Sequence, residues 1–349
     1  MKPFRNVPDL IGESPAFMDA LDRASASAAL DRPLLLVGER GSGKELLAER
    51  VHFLSKRWDG PFVKMNCAAL TDELLDSELF GHEAGAFTGA TRRREGRFER
   101  AEGGTLFLDE IASASLRTQE KLLRVIEYGE FERVGGEKTI TVDVRVVAAA
   151  NVDLPALAAQ GKFRADLLDR LAFDVVAAPP LRARKEDIPL LAAHFGARLA
   201  AEIGETFHGF APGAMARLIA HDWPGNVREL KNAAERSVFR WIADGGDGPV
   251  RSVVIDPFSE GASGEWRPPA SLADGAPSPP ADRRLRSAAP ASESAPFDLR
   301  AHLDGIERDL AQDALLAAGG NRKRAAGALG LSYDQLRGII RKHGIDADG

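Results

Sequence analysis

PLLLVGERGSGKE, residues 33–45, decides the fold. An apolar run ends in a glycine-rich turn, and a helix-like stretch, KELLAERVHFLSK (44–56), follows it. The turn GERGSGKE (38–45) fits G-x-x-x-x-G-K, the P-loop, in the strand–loop–helix setting that the motif requires. Gly38, Glu39, Arg40, Gly41, Ser42 and Gly43 would wrap backbone N–H groups around a nucleotide β-phosphate, with the helix dipole behind them. Lys44 would reach the β- and γ-phosphates. Glu45 stands where the general motif has the Ser or Thr that holds Mg2+. Alone, the stretch also reads as a glycine-rich turn before a helix.

Working outward, FVKMN (62–66), TLFLDE (105–110) and VRVVAAAN (144–151) have the length and apolar content of buried strands. Helix-like segments such as QEKLLRVIEYG (119–129) separate them. The alternation predicts an α/β fold with a parallel sheet covered on both faces, and ligands at the carboxyl ends of its strands. TLFLDE ends in Asp109 and Glu110, a Walker-B pattern: one acid for Mg2+ and a second to polarise an attacking water. A strand ending in a charged turn is the plainer alternative. In FRADLLDRLAF (163–173), Arg164 and Arg170 are either solvated arginines or fingers that stabilise charge on a transferring phosphoryl group, often in trans. WPGNVREL (223–230) is a Pro-Gly turn and then a helix carrying Arg228, which by itself reads equally as a surface arginine.

The totals narrow the class. The chain has 349 residues, 44% hydrophobic and 28% charged, enough for two domains with a real core. No apolar run approaches the roughly 20 residues of a membrane span, and the N-terminus lacks a secretory pattern. One cysteine, Cys67, excludes an internal disulfide and fits a reducing cytosol. A net charge of −6 argues against a protein that coats nucleic acid along its whole surface, not against a small basic module.

Two further segments need a reading. GAFTGA (85–90) is too short and glycine-rich for a helix or a good strand, and nothing in its immediate sequence offers Phe87 a packing partner. Gly85 and Gly89 would act as hinges and the aromatic as an apolar anchor for a partner; alternatively Phe87 folds back on the core. Past a Pro/Ala/Ser/Gly-rich stretch, 256–296, whose composition predicts a flexible linker, helical periodicity returns in LRAHLDGIERDLAQDALL (299–316). GGNRKRAAGALGLSYDQLRGIIRKHGI (319–345) then gives two short helices flanking GLS, the spacing of a helix-turn-helix. Arg322, Lys323, Arg324, Arg337, Arg341 and Lys342 face one acid, Asp334, between 321 and 343. Ser332, Tyr333, Gln335 and Arg337 would open a recognition helix toward bases or phosphates. The bland alternative is a three-helix bundle with a solvated basic face.

GERGSGKE, SELFGHEAGAFTGA (77–90), GRFERAEGGTLFLDE (96–110), LLRVIEYGEFERVGG (122–136), FRADLLDRLAFDVV (163–176) and WPGNVRELKN (223–232), in that order, resemble the central domain of the bacterial enhancer-binding proteins. These are AAA+ activators of sigma-54 RNA polymerase, and the resemblance covers about residues 9–240. It implies an AAA+ α/β ATPase core over 1–178, a helical lid over 179–255, the linker 256–296, and a Fis-like helix-turn-helix domain over 297–349 that dimerises through its first helix. It also implies ATP and Mg2+, with Lys44 and the Gly38–Gly43 loop on phosphate and Asp109 and Glu110 serving Mg2+ and water. Glu45 is common in the family at its position. Asn66 matches a polar switch that holds the Walker-B glutamate, Asn151 matches sensor I (with Ala150 where the family often has Thr), Arg228 sensor II, and Arg164 and Arg170 the fingers of a hexameric ring.

Gly85, Ala86, Phe87, Thr88, Gly89 and Ala90 would tip a mobile loop that touches sigma-54, with a second loop near EFERVGGEK (130–138) moving alongside. LIGESPAF begins at residue 10, so no N-terminal sensory domain is expected, and control would come from abundance or a separate protein. With SKRWDGPF (55–62), the chain resembles the phage shock branch of the family, in which an inhibitor, phage shock protein A, docks near an exposed Trp; Trp58 is at the matching place, unless it packs on its own helix. The implied function is ATP-driven remodelling of the sigma-54 closed complex from enhancer DNA, in the bacterial cytoplasm at the nucleoid. A nucleotide-switched DNA-binding regulator without turnover and an AAA+ remodeller of another DNA-bound complex are the rivals. Glu110 and the two candidate fingers argue against the first, GAFTGA against the second.

Overall fold

The computed structural model describes residues 10–257, 299–318 and 321–344. The expected linker, 256–296, lies outside them from residue 258 on. The chain forms two compact units, one up to residue 268 and one after it.

The first unit is built on five parallel strands: β1 (Leu34–Val37), β2 (Phe62–Asn66), β3 (Thr105–Asp109), β6 (Arg145–Ala150) and β7 (Val175–Ala177). A separate antiparallel hairpin joins β4 (Glu130–Glu132) to β5 (Thr139–Thr141). The sheet order is β2-β3-β6-β1-β7, so the chain leaves interior β1 for the far edge, works back to β6 and ends at β7 on the other side of β1. Around the sheet run α1 (Pro15–Ala28), α2 (Lys44–Phe53), α3 (Asp72–Phe80), α4 (Arg97–Arg100), α5 (Leu116–Tyr128), α6 (Leu154–Ala159) and α7 (Ala165–Leu171).

Side-chain alternation along the strands explains the two cores. Leu35, Leu106, Leu108 and Ala148 face one side, where Leu75, Leu79, Leu122, Phe163 and Leu167 of the α3–α7 region cover them. Leu34, Leu36, Phe107, Val147 and Ala149 face the other, against Leu21 and Ala24 of α1 and Leu47 and Val51 of α2. Strands buried on both faces read as unbroken apolar runs. That is why β1, β3 and β6 were legible in the sequence; β2, at the sheet edge, is a run broken by exposed Lys64.

A helical lid follows: α8 (Ile188–Glu202), α9 (Pro212–Ala220) and α10 (Asn226–Ala243). Its core gathers Leu191, Leu218, Leu230, Ala233 and Ala234 around a fully buried Trp223, whose indole N–H donates to Leu218 O at 2.8 Å.

The second unit is all-helical: α11 (Leu299–Ala317), α12 (Arg322–Ala328) and α13 (Tyr333–His343). Ala311, Leu315, Ala325, Ala326 and Leu336 form its small core. No helix among the described residues is long and apolar enough to cross a membrane.

Candidate functional site

Parallel register brings the strand ends level. Asn66 lies opposite Asp109, Val37 lies opposite Ala150, and the Gly38 N–H donates to Ala150 O at 3.1 Å. The P-loop, Asn66, Asp109, Glu110 and Asn151 therefore share one edge of the sheet, the edge where α/β folds bind ligands. Helix α2 starts at Lys44 behind Gly43, which has φ 104° and gives no side-chain cap. The first-turn amides are left for a ligand, and Ser42 Oγ beside them is buried without a hydrogen-bond partner. This cradle fits a phosphate. Gly41 has φ 73°, and a Cβ there would lie 2.3 Å from Gly225 O, so the loop and the start of α10 in the lid touch backbone to backbone.

Lys44 is 7% exposed, and its ammonium donates to Gly38 O at 2.8 Å and Glu39 O at 2.9 Å. Burial lowers its pKa, against the pull of Asp109 and Glu110. Burial likewise raises the pKa of Asp109, opposed by the Glu110 N–H on its Oδ1 at 2.9 Å and by Lys44. Glu110 sits at φ 53°, a left-handed position that costs a residue with a Cβ about 1 kcal/mol or more. The contact expected between Asn66 and Glu110 is replaced. Asn66 Oδ1 accepts the Ala68 N–H at 2.8 Å, and the Glu110 carboxylate pairs with Arg40 of the P-loop at 3.0 Å. A guanidinium is the stronger partner for a carboxylate than a neutral amide.

Beside the loop, a cavity of about 390 Å³ is lined by Ser42, Gly43, Leu10, Ile11, Phe195 and Val227 among others. Apolar walls joined to a phosphate cradle suit a nucleotide base. Arg184, 3% exposed, closes one side: its Nη2 donates to Ser42 O at 2.8 Å and its guanidinium lies 4.6 Å from the Phe17 ring centroid. Sequence reading found Ser42 and Gly43 but missed Leu10, Ile11, Arg184, Phe195 and Val227 here, since each is an ordinary side chain until the fold gathers them.

It also missed Asn226, the best-connected residue between lid and loop. Asn226 is fully buried at φ 54°; Oδ1 accepts the Leu181 N–H at 2.7 Å, and Nδ2 donates to Glu39 Oε2 and Arg40 O, both at 3.0 Å. Arg182 forks onto the same Glu39 at 2.5 and 2.8 Å. Arg182 first and Asn226 second hold the Glu39 carboxyl down to about 2. Asn226→Ala should cost the first unit about 2–4 kcal/mol, by stranding the Leu181 N–H and placing alanine in a left-handed conformation. Asn226→Gly should recover only the backbone part. Denaturant unfolding of both variants measures the split.

The other expected residues fall as follows. Arg228 lies on the first turn of α10, its Cβ 3.1 Å from a Cβ built on Gly41. Asn151 follows β6 beside the loop. The Glu45 carboxylate is engaged by Lys64 of β2 at 2.7 Å. Arg164 precedes α7 and forks onto Asp166 at 3.1 and 2.8 Å, while Arg170 meets Glu127 at 2.6 Å. Their side chains are 36% and 56% exposed.

The 85–90 loop closes on itself: the Gly85 N–H donates to Ala90 O at 2.7 Å and the Ala90 N–H to Phe87 O at 2.9 Å. Gly85 and Gly89 have φ 84° and 100°, and a Cβ on either would meet nothing within 4 Å. Their backbone conformation, not crowding, asks for glycine. Phe87 is 40% exposed but has a neighbour: the His82 ring meets it edge-on at 5.0 Å. This modifies the expectation of an aromatic without a partner; five residues separate the two rings in sequence and a turn reunites them. Ala90 is buried, so the exposed tip is Gly85, Phe87, Thr88 and Gly89. The second loop proves to be the β4–β5 hairpin. It touches the first where the Glu83 N–H donates to Val134 O at 3.1 Å and where Arg133 bridges Glu83 and Glu99.

Comparison with known proteins identifies the family of the fold that carries this site. The chain matches the Sigma-54 interaction domain over residues 10–176, the AAA+ ATPase lid domain over 182–244, and the Bacterial regulatory protein, Fis family, over 303–342. It is 51% identical to the Psp operon transcriptional activator of Escherichia coli K12 over 338 residues, covering 97% of this chain and 98% of that one. The chain belongs to the sigma-54-dependent transcriptional activators. The regulatory protein AtoC of E. coli K12 is 42% identical over 97% of this chain and 68% of its own. The structure of NtrX from Brucella abortus in complex with ATP superposes with a TM-score of 0.67 at 33% identity, over 97% of this chain and 70% of that one.

This sigma-54-dependent activator therefore joins a nucleotide-binding AAA+ domain to a Fis-type helix-turn-helix, with sigma-54 RNA polymerase and DNA as its partners. In the helix-turn-helix, Ser332 and Gln335 differ from expectation. They cap each other, Gln335 Oε1 accepting the Ser332 N–H at 2.8 Å and Ser332 Oγ the Gln335 N–H at 3.3 Å. The S-x-x-Q spacing of a capping box was present in the sequence, so these side chains set the start of α13 rather than standing free. Tyr333, Arg337 and Arg341, four residues apart, are exposed along α13, and Arg322, Lys323 and Arg324 are exposed at the start of α12. Lys342 turns back to Glu307 of α11 at 2.6 Å.

Trp58 is 60% exposed, the open one of its two readings, on a turn that Arg57 pins by pairing with Asp31 and Asp143. Cys67 is 1% exposed, and burial, with Asp109 and Glu110 nearby, pushes its thiol up to about 12. Iodoacetamide at pH 8 should leave the native activator unmodified and alkylate it on unfolding, as mass spectrometry would show.

Proposed function

We propose that this protein hydrolyses ATP to ADP and phosphate and uses the cycle to convert the sigma-54 closed promoter complex to the open one. The observation that carries the reading is the convergence of Lys44, Asp109 and Glu110 at the sheet edge beside a P-loop whose helix start has no side-chain cap. In this reading the P-loop amides and Lys44 bind the phosphates, and Glu110 accepts a proton from, or orients, the attacking water. Asp109 would hold Mg2+, which neutralises phosphate charge when bound; a partly buried carboxylate next to Lys44 is a suitable donor. Asn66 and Asn151 sense the nucleotide, and Arg228 closes over it from the lid.

Arg164 and Arg170 act on the nucleotide of the neighbouring subunit in a hexamer; both lie exposed on α7 or its cap, held by carboxylates they can exchange for phosphate. Residues 85–90, with Phe87 and Thr88 foremost, touch sigma-54. Tyr333, Arg337, Arg341 and the basic start of α12 hold enhancer DNA. The organisation follows the four segments 1–178, 179–255, 256–296 and 297–349. Similarity to the Psp operon activator along nearly the whole chain supports a phage shock operon as target, phage shock protein A as inhibitor at Trp58, and a cytoplasmic site of action.

The test is capture of purified sigma-54 by the full chain with ADP and a metal fluoride that mimics the transferring phosphoryl group. A complex that forms only with the mimic supports the reading. Measurable ATP turnover without such a complex overturns its sigma-54 half, and no turnover overturns the whole.

A further inference from the structure

Arg40 occupies a variable position of the P-loop motif, yet its side chain does not stay with the loop. Nε lies 3.0 Å from Glu110 Oε1 and Nη2 lies 3.2 Å from Oε2, a two-pronged contact across 70 residues of sequence. Both carboxylate oxygens are engaged. A carboxylate paired with a guanidinium, here through one hydrogen bond and one close charge contact, is a poorer acceptor for a proton from water. The Glu110 backbone is fixed as well, at φ 53° with its N–H on Asp109 Oδ1. The Arg40 backbone in turn is gripped by the lid, since Asn226 Nδ2 donates to Arg40 O at 3.0 Å and the Val227 N–H to Gly41 O at 3.0 Å.

We propose that Arg40 is a positioning residue that restrains ATP turnover by holding the Glu110 carboxylate, and that the lid sets this restraint through its grip on the Arg40 backbone. The inference rests on the proposed role of Glu110 in hydrolysis. The Arg40 side chain is 66% exposed against 16% for Glu110, so the arginine is the member of the pair free to move.

Steady-state ATP hydrolysis by the full chain tests this with wild type, Arg40→Ser, Arg40→Lys and Glu110→Gln side by side. The expected result is a kcat raised about fivefold in Arg40→Ser, the scale of breaking one partly exposed ion pair, with KM within about twofold. Arg40→Lys, which offers a point contact in place of a fork, should fall between. A purely structural role for Arg40 would not raise kcat. If wild-type turnover is abolished by Glu110→Gln but Arg40→Ser leaves kcat unchanged, the restraint is wrong and the hydrolysis reading stands. A lower kcat or a much higher KM in Arg40→Ser also overturns it, making Arg40 a nucleotide ligand only. Absence of turnover in both wild type and Arg40→Ser overturns the restraint and the ATPase reading together.

Discussion

Phe87→Ala is expected to abolish capture of sigma-54 in the transition-state-mimic experiment while leaving ATP turnover within about twofold of wild type. The reason is where the ring's contacts lie. Inside the molecule Phe87 meets the His82 ring edge-on and is otherwise 40% exposed, so truncation opens no core cavity. The loop's shape comes from its own hydrogen bonds and two left-handed glycines, none of which involves the phenyl group. His82 keeps its bond to Ser77 Oγ at 2.8 Å. Stability and the nucleotide edge should therefore be little changed. Against a partner the balance reverses: an aromatic anchor at the centre of a contact carries about 2 kcal/mol or more, at least a 30-fold loss of affinity on truncation. Parallel pull-down and phosphate-release assays read both halves. A variant that loses hydrolysis and capture together would show instead that the loop is needed for the fold or the ring.

The second large effect belongs to Glu110→Gln. Turnover should fall by about 100-fold to 10,000-fold, the usual worth of a positioned general base, while nucleotide binding changes by no more than a few-fold. The substitution keeps size and shape at a residue whose side chain is 16% exposed, and it leaves Lys44 and the loop amides in place. Calorimetric titration with ATP separates binding from chemistry. A variant that binds and does not hydrolyse would also accumulate the ATP state, so it should capture sigma-54 with ATP alone. Equal losses of binding and turnover would mean that Glu110 holds the fold of the site rather than acting in the reaction.

What could be read from the chain in advance was local. PLLLV, TLFLD and RVVAAA carry their strand character in their own composition, and GERGSGKE and the terminal Asp109–Glu110 place chemistry at strand ends by short-range rules. The helix-turn-helix was legible for the same reason. What escaped depends on distant partners. Arg40 meets Glu110 across 70 residues, Asn226 meets Glu39 across 187, and Arg145 donates to Ser27 O across 118. Asn226 carried a partial signal, because asparagine after Pro-Gly tolerates a left-handed backbone, but nothing local shows that its amide would reach the P-loop. Ser332 and Gln335 are the opposite case: their S-x-x-Q capping pattern is local and present in the sequence, and the reading toward bases and phosphates left it unused.

Cys67 has a practical consequence. It is the chain's one thiol and it is shielded, so the surface is already a blank background for chemistry directed at sulfur. A cysteine introduced at exposed Thr88 would be the single site that a maleimide dye meets in the folded molecule. Fluorescence from that position would then report whether the loop moves when ATP is added, with no prior engineering of the rest of the protein.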